Sequence, residues 1–193
     1  LTELHDDGTL APGLAESWET TDATQWVFTL RQGVTFHNGK TLTADDVVYS
    51  LNHHRADDSP SAVKGYMEQI TELTARGQHQ VVMTLSAPNM DLPYLLGEVN
   101  FAITPAGANF DDGIGTGPFV LESFEPGVRT LVKRNENYWK SDRAFVDSVE
   151  TRAFNDATAR VAALMSDSVH FVNRVTPSIV SRLESASSLT INR

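Results

Sequence analysis

Two glycine-containing segments resemble phosphate-binding loops, but neither has the spacing that such loops require. Gly39-Lys40-Thr41 matches the end of a nucleotide-binding P-loop, whose first glycine would stand five positions before Gly39, where this chain has Val34. The glycine cluster at 113–118 matches half of a dinucleotide-binding pattern, but its last residue is proline where the third glycine belongs. We interpret both segments as backbone turns and predict no nucleotide site.

The histidines and carboxylates do not form a metal-binding or catalytic pattern. His53 and His54 are adjacent, so on a helix their side chains point about 100° apart and do not face one ion. His37 adjoins the turn dipeptide Asn38-Gly39 and is predicted to be an exposed or hydrogen-bonded ring rather than a ligand. Most acidic residues stand beside turns or predicted helix starts, where caps and solvated faces explain them.

The absence of other reactive patterns points the same way. The chain has no cysteine and no Gly-x-Ser-x-Gly segment, which excludes thiolate zinc sites, a cysteine nucleophile and that type of serine nucleophile. The residues therefore predict no metal and no cofactor, and they point away from enzymatic activity without indicating another function.

The composition is that of an acidic globular protein. The 193 residues include 15 Lys+Arg and 25 Asp+Glu, a formal charge of −10, with 40% hydrophobic and 21% charged residues. This charge disfavours nucleic-acid binding, which needs clustered basic side chains. The longest apolar run, Val161–Met165, is far shorter than the ~18 residues of a membrane-spanning helix. The chain begins without initiator methionine or signal peptide, so we expect an excised piece of a longer protein.

The best-defined predicted element is a helix over residues 44–55. Thr43 can cap it, and Asp46 stands three residues later, as in a capping box. One apolar stripe follows at helical spacing, at Ala44, Val47, Val48 and Leu51. We therefore expect this helix to face a core.

Alternating β-forming residues and turn dipeptides predict strands elsewhere. These are expected at 26–30, 34–36, 100–104, 119–121, 129–133, 169–172 and 189–191, with a hairpin over 70–85. Met67–Leu73 satisfies helical spacing equally well, and we prefer the hairpin. Further helices are expected at 90–97, after a cap at Asn155 or Asp156, and from Thr176-Pro177. This irregular interleaving indicates a mixed α/β (α+β) fold.

Six segments together resemble one known family, the extracellular solute-binding proteins of family 5, the dipeptide, oligopeptide and nickel class of ABC importer receptors. They occur in the family's order and at about its spacings across nearly the whole chain. The segments are LAPGLAESW at 10–18, WVFTLRQGVTFHNG at 26–39, LTADDVVYSL at 42–51, GTGPF at 115–119, RNENYW at 134–139 and DATAR at 156–160.

The resemblance implies a periplasmic-binding-protein-like fold of type II, cut short. Residues 1–112 would form the small, β-rich subdomain of the first lobe, and 113–193 would form part of the main α/β domain of that lobe. The second lobe is expected to be absent from this chain. The resemblance also implies a periplasmic or extracytoplasmic location, compatible with a lipid anchor, and ABC permease subunits as partners.

The implied function is capture of a small solute, with two candidate contact segments. We predict ligand-binding residues at Asn100 and Phe101, after the short helix, and at Asn173 and Arg174, where a strand ends. Ordinary loop and strand-end roles explain these residues equally well. The family usually has Gly-Glu-x-Asp where this chain has Asp167–His170, so we expect a different turn there.

Peptides, nickel chelates, opines and oligosaccharides all occur as solutes in the class, and the sequence does not choose among them. Two other functions stay open. One is a hydrolase built on the same type of scaffold, because a fold does not determine an activity. The other is a sensor receptor that signals without transport.

Overall fold

The computed structural model describes residues 1–186 and 188–192, apart from the side chains of residues 181 and 182. Strands predominate in the first two thirds of this part. The strands are β1 (Thr2–Leu4), β2 (Leu10–Pro12), β3 (Ala15–Thr20), β4 (Gln25–Leu30), β5 (Ile70–Arg76), β6 (Gln80–Leu85), β7 (Phe119–Glu125), β8 (Arg129–Arg134) and β9 (Ser148–Arg152). The helices are α1 (Ala44–Arg55), α2 (Lys64–Met67), α3 (Leu92–Leu95), α4 (Ala157–Met165) and α5 (Pro177–Glu184), with a 3₁₀ turn at Phe110–Asp112.

The chain forms two compact units. The first contains Leu1–Glu122 and Val132–Val149, and the second contains Ser123–Leu131 and the chain from Glu150 onward. β7, β8 and β9 form a sheet in that order, and the division between the units crosses all three strands. The predicted boundary between 1–112 and 113–193 stays a prediction.

The core of the first unit lies against an antiparallel sheet with the strand order β3-β4-β6-β5. In β4 the side chains of Trp26, Phe28 and Leu30 alternate into the core and are 3% exposed or less. This alternation is what a half-buried strand requires. The predicted strand at 26–30 and the predicted hairpin over 70–85 are both confirmed.

Helix α1 covers this sheet and has the predicted bounds. It contacts β5 and β6, and its apolar stripe is buried at Ala44, Val47 and Leu51. At the C-terminal end of α1, the Arg55 guanidinium donates to the carbonyl of Ile70 at 2.6 Å, which attaches the last turn of the helix to the start of β5. The helix is therefore fixed to the sheet by apolar burial and by a charged hydrogen bond.

A buried carboxylate organises the start of α1. The side chain of Asp46 is fully buried. It accepts hydrogen bonds from Thr43 N and Oγ1, both at 2.9 Å, from Ala106 N at 2.7 Å, and from the Lys40 ammonium. Burial raises the pKa of the Asp46 carboxyl, but the bonds from Ala106, Lys40 and Thr43 outweigh it and hold that pKa below its ordinary value.

Ser50, one turn further along α1, holds the segment that precedes Ala106. Its Oγ lies 2.8 Å from the Asp46 carbonyl and 3.1 Å from the Thr104 carbonyl, and it accepts from Thr104 N at 2.9 Å. The strand predicted at 100–104 is wrong for this reason. Thr104 satisfies its backbone groups on a serine side chain of a helix, not on a neighbouring strand.

Three other predicted strands are also wrong, each because local hydrogen bonds replace a ladder. Residues 34–36 form only one isolated bridge, between Thr35 and Thr41. At 169–172 the chain is irregular, and Val169 N donates back to Ala163 O of α4. At 189–191, Leu189 N closes a turn on Ala186 O.

The other helix predictions differ mainly in length. The helix predicted at 90–97 is shorter and spans only α3, whereas α2 and the 3₁₀ turn were not predicted. In the second unit, Asp156 caps α4 by accepting from Ala159 N at 2.7 Å, and Pro177 opens α5, as predicted. No helix in the described residues is both long and apolar enough to cross a membrane.

Replacing Asp46 tests its part in stability. Asp46→Asn should lower the free energy of unfolding by about 3 kcal/mol near neutral pH, because it removes the buried charge that Lys40 and Ala106 N face. Asp45→Asn is the matched control in the same turn, at an exposed position, and should change that free energy by about 0.5 kcal/mol. Urea unfolding followed by circular dichroism measures both.

The stabilisation that Asp46 provides should depend on pH. Because the pKa of Asp46 is lower in the folded than in the unfolded protein, its stabilising contribution is present above the unfolded pKa of about 3.9. It is lost as the pH falls through the folded pKa. The stability difference between the unmodified protein and Asp46→Asn should therefore shrink between about pH 5 and about pH 2. A difference that stays constant over that interval would contradict the assignment.

Candidate functional site

The first unit contains an open pocket of about 600 Å³. Four parts of the chain line it: Leu4 of β1, the residues Val63 and Tyr66 at α2, the segment from Asp91 to Glu98 around α3, and the pair Asn100 and Phe101. This volume is within the range of small-molecule sites in proteins.

Helix α3 is held beside β1 by a hydrogen bond from a threonine side chain to the helix backbone. Thr2 Oγ1 donates to the carbonyl of Pro93 at 2.6 Å. A Cβ atom on Gly97 would lie 3.2 Å from Thr2 Oγ1 and 3.3 Å from Tyr94 O, so a larger residue would require these neighbours to shift by a few tenths of an ångström. The buried side chains of Leu92 and Leu96 anchor the same helix in the core. The wall of the pocket is thus well fixed.

Phe101 forms the floor of the pocket, and a histidine that does not line the pocket packs against its ring. Phe101 is 3% exposed, and its ring meets the ring of His54 edge-on at 5.3 Å between centroids. His54 Nδ1 lies 2.7 Å from Ser61 Oγ, just before Val63. Burial, and then the nearby His53, lower the pKa of His54, which favours a neutral ring against Phe101.

The structure brings the first predicted pair, Asn100 and Phe101, into this pocket. Asn100 is exposed at the rim, and Phe101 contributes an apolar surface. No sequence pattern predicted the tyrosines and carboxylates that share the pocket, which are Tyr66, Tyr94, Asp91 and Glu98. α2 and α3 have only four residues each, which is too short for a hydrophobic period to reveal their faces.

The second predicted pair, Asn173 and Arg174, lies in the second unit, in a depression with no room for a water-sized molecule. Arg160 Nη1 donates to Asn173 O at 3.1 Å and to Asn173 Oδ1 at 3.3 Å. Arg174 has a left-handed backbone, with φ of 54°, which is uncommon for a residue other than glycine. A role for this pair in ligand binding stays a prediction.

His37 binds the backbone of the glycine cluster, a role that its neighbours in the sequence do not indicate. Its Nδ1 accepts from Gly115 N at 3.2 Å, its Nε2 lies 3.1 Å from Gly117 O, and its own N–H donates to Gly115 O at 2.9 Å. The ring therefore carries its proton on Nε2. Asn135 Nδ2 adds a bond to Gly117 O at 3.0 Å. The glycine cluster is a clamped turn, and Lys40 of the P-loop-like segment pairs with Asp46.

Removing the His37 ring should loosen this clamp. His37→Ala should lower the free energy of unfolding by about 2 kcal/mol, because it leaves Gly115 N and Gly117 O each without a ring partner. His5→Ala, at an exposed position in the same unit, is the control and should be nearly neutral. Chemical unfolding of both variants is the measurement. Equal stability of the two would contradict the clamp.

Comparison with known proteins places this geometry in context. The sequence profile of bacterial extracellular solute-binding proteins, family 5 Middle, matches residues 9–193. The chain is 29% identical to di/tripeptide-binding protein 1 of Pseudomonas aeruginosa (strain UCBPP-PA14), over 85% of this chain and 36% of that protein.

The solved structures that share the fold include the following two. The periplasmic binding protein AgaA of A. tumefaciens R10, in complex with agropinic acid, has a TM-score of 0.90 and 27% identity, over 96% of this chain and 39% of that one. A nickel ABC transporter protein of Bacillus halodurans has a TM-score of 0.85 and 33% identity, over 97% of this chain and 39% of that one. This chain thus spans less than two fifths of the length of all three proteins. The predicted mixed α/β, periplasmic-binding-protein-like fold is confirmed.

Proposed function

The chain belongs to the bacterial extracellular solute-binding proteins of family 5, and we propose on that premise that it is part of an importer receptor. The receptor captures a small solute outside the cytoplasmic membrane and delivers it to the permease subunits of an ABC importer. The described chain supplies part of the first lobe, and the rest of a longer protein supplies the opposing lobe. Closure of two lobes around a solute is a hinge motion that needs rigid bodies and no reactive group.

The observation that carries this proposal is the pocket of about 600 Å³ on a firmly held frame. Its lining combines apolar surface with a few polar side chains, as ligand sites usually do. Asp46 and Ser50 fix the backbone from 104 to 106, and Phe101, three residues before this segment, forms the floor. A frame of this kind lowers the conformational entropy lost on binding.

Binding without catalysis is supported by two relatives whose names describe binding proteins, the di/tripeptide-binding protein and AgaA. The pocket also lacks the nucleophile and base of a serine or cysteine hydrolase. Its lining residues include no serine, cysteine or histidine that a neighbouring base would activate. A sensor receptor would use the same pocket and differ only in its membrane partner.

The names of the relatives suggest the range of solutes. A di/tripeptide-binding protein, a complex with agropinic acid and a nickel transporter protein are all similar to this chain. We place the solute of this receptor among small peptides, opines and metal chelates. Asn100 would contact it from the rim of the pocket, and Asn173 and Arg174 remain candidates for a second contact. The location would be extracytoplasmic, with a lipid anchor as one way of retaining the receptor at the membrane.

Native mass spectrometry of the full-length receptor, purified without denaturation, tests this function. We expect a bound small solute, whose affinity calorimetry then measures. Asn100→Ala should weaken that affinity about tenfold, because it removes a hydrogen-bonding group at the rim. Asn137→Ala, exposed and in the same unit, is the matched control and should bind normally.

Calorimetry on the isolated 193 residues tests whether they bind the solute alone or only as part of a longer receptor. Without the opposing lobe much of the contact area is missing, so binding should be weaker by about a hundredfold or more. Equally tight binding by the isolated chain would contradict the two-lobed receptor. Hydrolysis of the solute by the full-length protein would contradict binding without catalysis.

A further inference from the structure

We propose that the pocket beside α3 receives a positively charged organic group of the solute, an ammonium or a guanidinium. The proposal rests on the proposed function and names the class of solute that this site selects. It is carried by the charges and the aromatic rings of the lining, together with the apolar surface around them.

Two carboxylates supply the negative charge. Asp91 precedes α3 and Glu98 follows it, so they flank the wall of the pocket, and both are exposed. No lysine, arginine or histidine is among the residues that line the pocket. Within the described part of the chain, neither carboxylate takes part in an ion pair.

Other carboxylates of the same unit form ion pairs with a lysine that lies nearby. Glu3 pairs with Lys140 at 2.6 Å, and Glu122 pairs with Lys133 at 3.3 Å. At Asp91 and Glu98 the negative charge is instead left facing the pocket. A cationic group that enters would complete such pairs, whereas an anionic group would be repelled by both carboxylates.

Two tyrosines supply a second attraction for the same kind of group. Tyr66 of α2 is 60% exposed and Tyr94 of α3 is 44% exposed, and both line the pocket. The negative face of an aromatic ring attracts an ammonium or guanidinium, and this attraction grows as water is displaced. A pocket with two carboxylates and two rings therefore favours an organic cation over a neutral group of the same size.

The remaining walls strengthen both effects. Val63, Leu95 and Phe101 present apolar surface to the same space. An apolar wall lowers the local dielectric, so a charge pair beside it is worth more than one in bulk water. The same wall accepts the aliphatic part of a lysine-like or arginine-like chain.

The lining favours an organic cation over a bare metal ion. A hard metal ion needs several oxygen ligands that converge at short distances. In residues 1–186 and 188–192 no three His, Asp or Glu side chains are grouped closely enough to hold a metal ion. Two carboxylates at opposite ends of α3, beside aromatic and apolar side chains, suit an organic cation better.

A panel of six probes on the full-length receptor tests the proposal. The cationic probes are agmatine, spermidine and Ala-Lys-Ala, and the others are Ala-norleucine-Ala, Ala-Glu-Ala and maltotriose. Native mass spectrometry of the mixture identifies which probes bind, and calorimetry measures their affinities. We expect one or more cationic probes to bind, and Ala-Lys-Ala to bind better than Ala-norleucine-Ala if the solute is a peptide.

Variants of the two carboxylates then locate the effect. Glu98→Gln and Asp91→Asn should each lower the affinity for the cationic probe about tenfold. A higher salt concentration should make this loss of affinity smaller. Both positions are exposed, so the fold should be retained, which circular dichroism verifies. Glu72→Gln, an exposed carboxylate on β5 of the same unit, is the matched control and should leave the affinity unchanged.

The outcomes separate this inference from the proposed function. Binding of neutral or acidic probes with affinities that Glu98→Gln and Asp91→Asn leave unchanged would overturn the cation-selective pocket and keep the solute receptor. Binding of no probe, together with no solute carried through purification, would overturn the proposed function as well. Preferred binding of a cationic probe that both variants weaken, with Glu72→Gln unaffected, would establish the inference.

Discussion

The first unit depends on one buried carboxylate, that of Asp46. A negative charge without solvent is costly unless donors surround it, and here three parts of the chain supply them: Thr43 at the helix start, Lys40 in the preceding turn, and Ala106 sixty residues later. Because these donors must converge on one group, the carboxylate specifies the relative positions of three segments. Apolar burial alone does not impose such a restriction, since it has no direction.

This constraint extends from the helix to the pocket. With Ala106 fixed by Asp46 and Thr104 fixed by Ser50, the backbone that leads back to Phe101 has little freedom. Phe101 is then pressed against His54, whose lowered pKa keeps a neutral ring at that contact. The position of Phe101 is thus set by groups that do not line the pocket. In the proposed receptor this would favour binding, because a Phe101 ring that is already fixed loses little conformational entropy when a solute binds.

Elements with strong local signals were predictable, and those held by distant partners were not. Helix α1 has its predicted bounds because its cap and its apolar stripe agree, and β5 and β6 form the predicted hairpin. Residues 100–104 have β-forming side chains, but a serine of α1 satisfies the backbone of Thr104, and no local pattern encodes that partner. The role of His37 was not predictable for the same reason, because its partners Gly115 and Gly117 are distant in the sequence. In the pocket, Asn100 and Phe101 were indicated by the family resemblance, whereas Tyr66 and Tyr94 stand on helices too short to show a face.

A titration of the Asp46 side chain by carbon-detected NMR tests the account most directly. The Asp46 carboxylate is ionised, buried and fully hydrogen-bonded, and it thereby holds the frame of the first unit. We expect its carboxyl resonance to titrate with a pKa below the ordinary aspartate value of about 3.9. A resonance that titrates at or above that value would show that the donors do not surround the carboxylate, and would contradict the central claim.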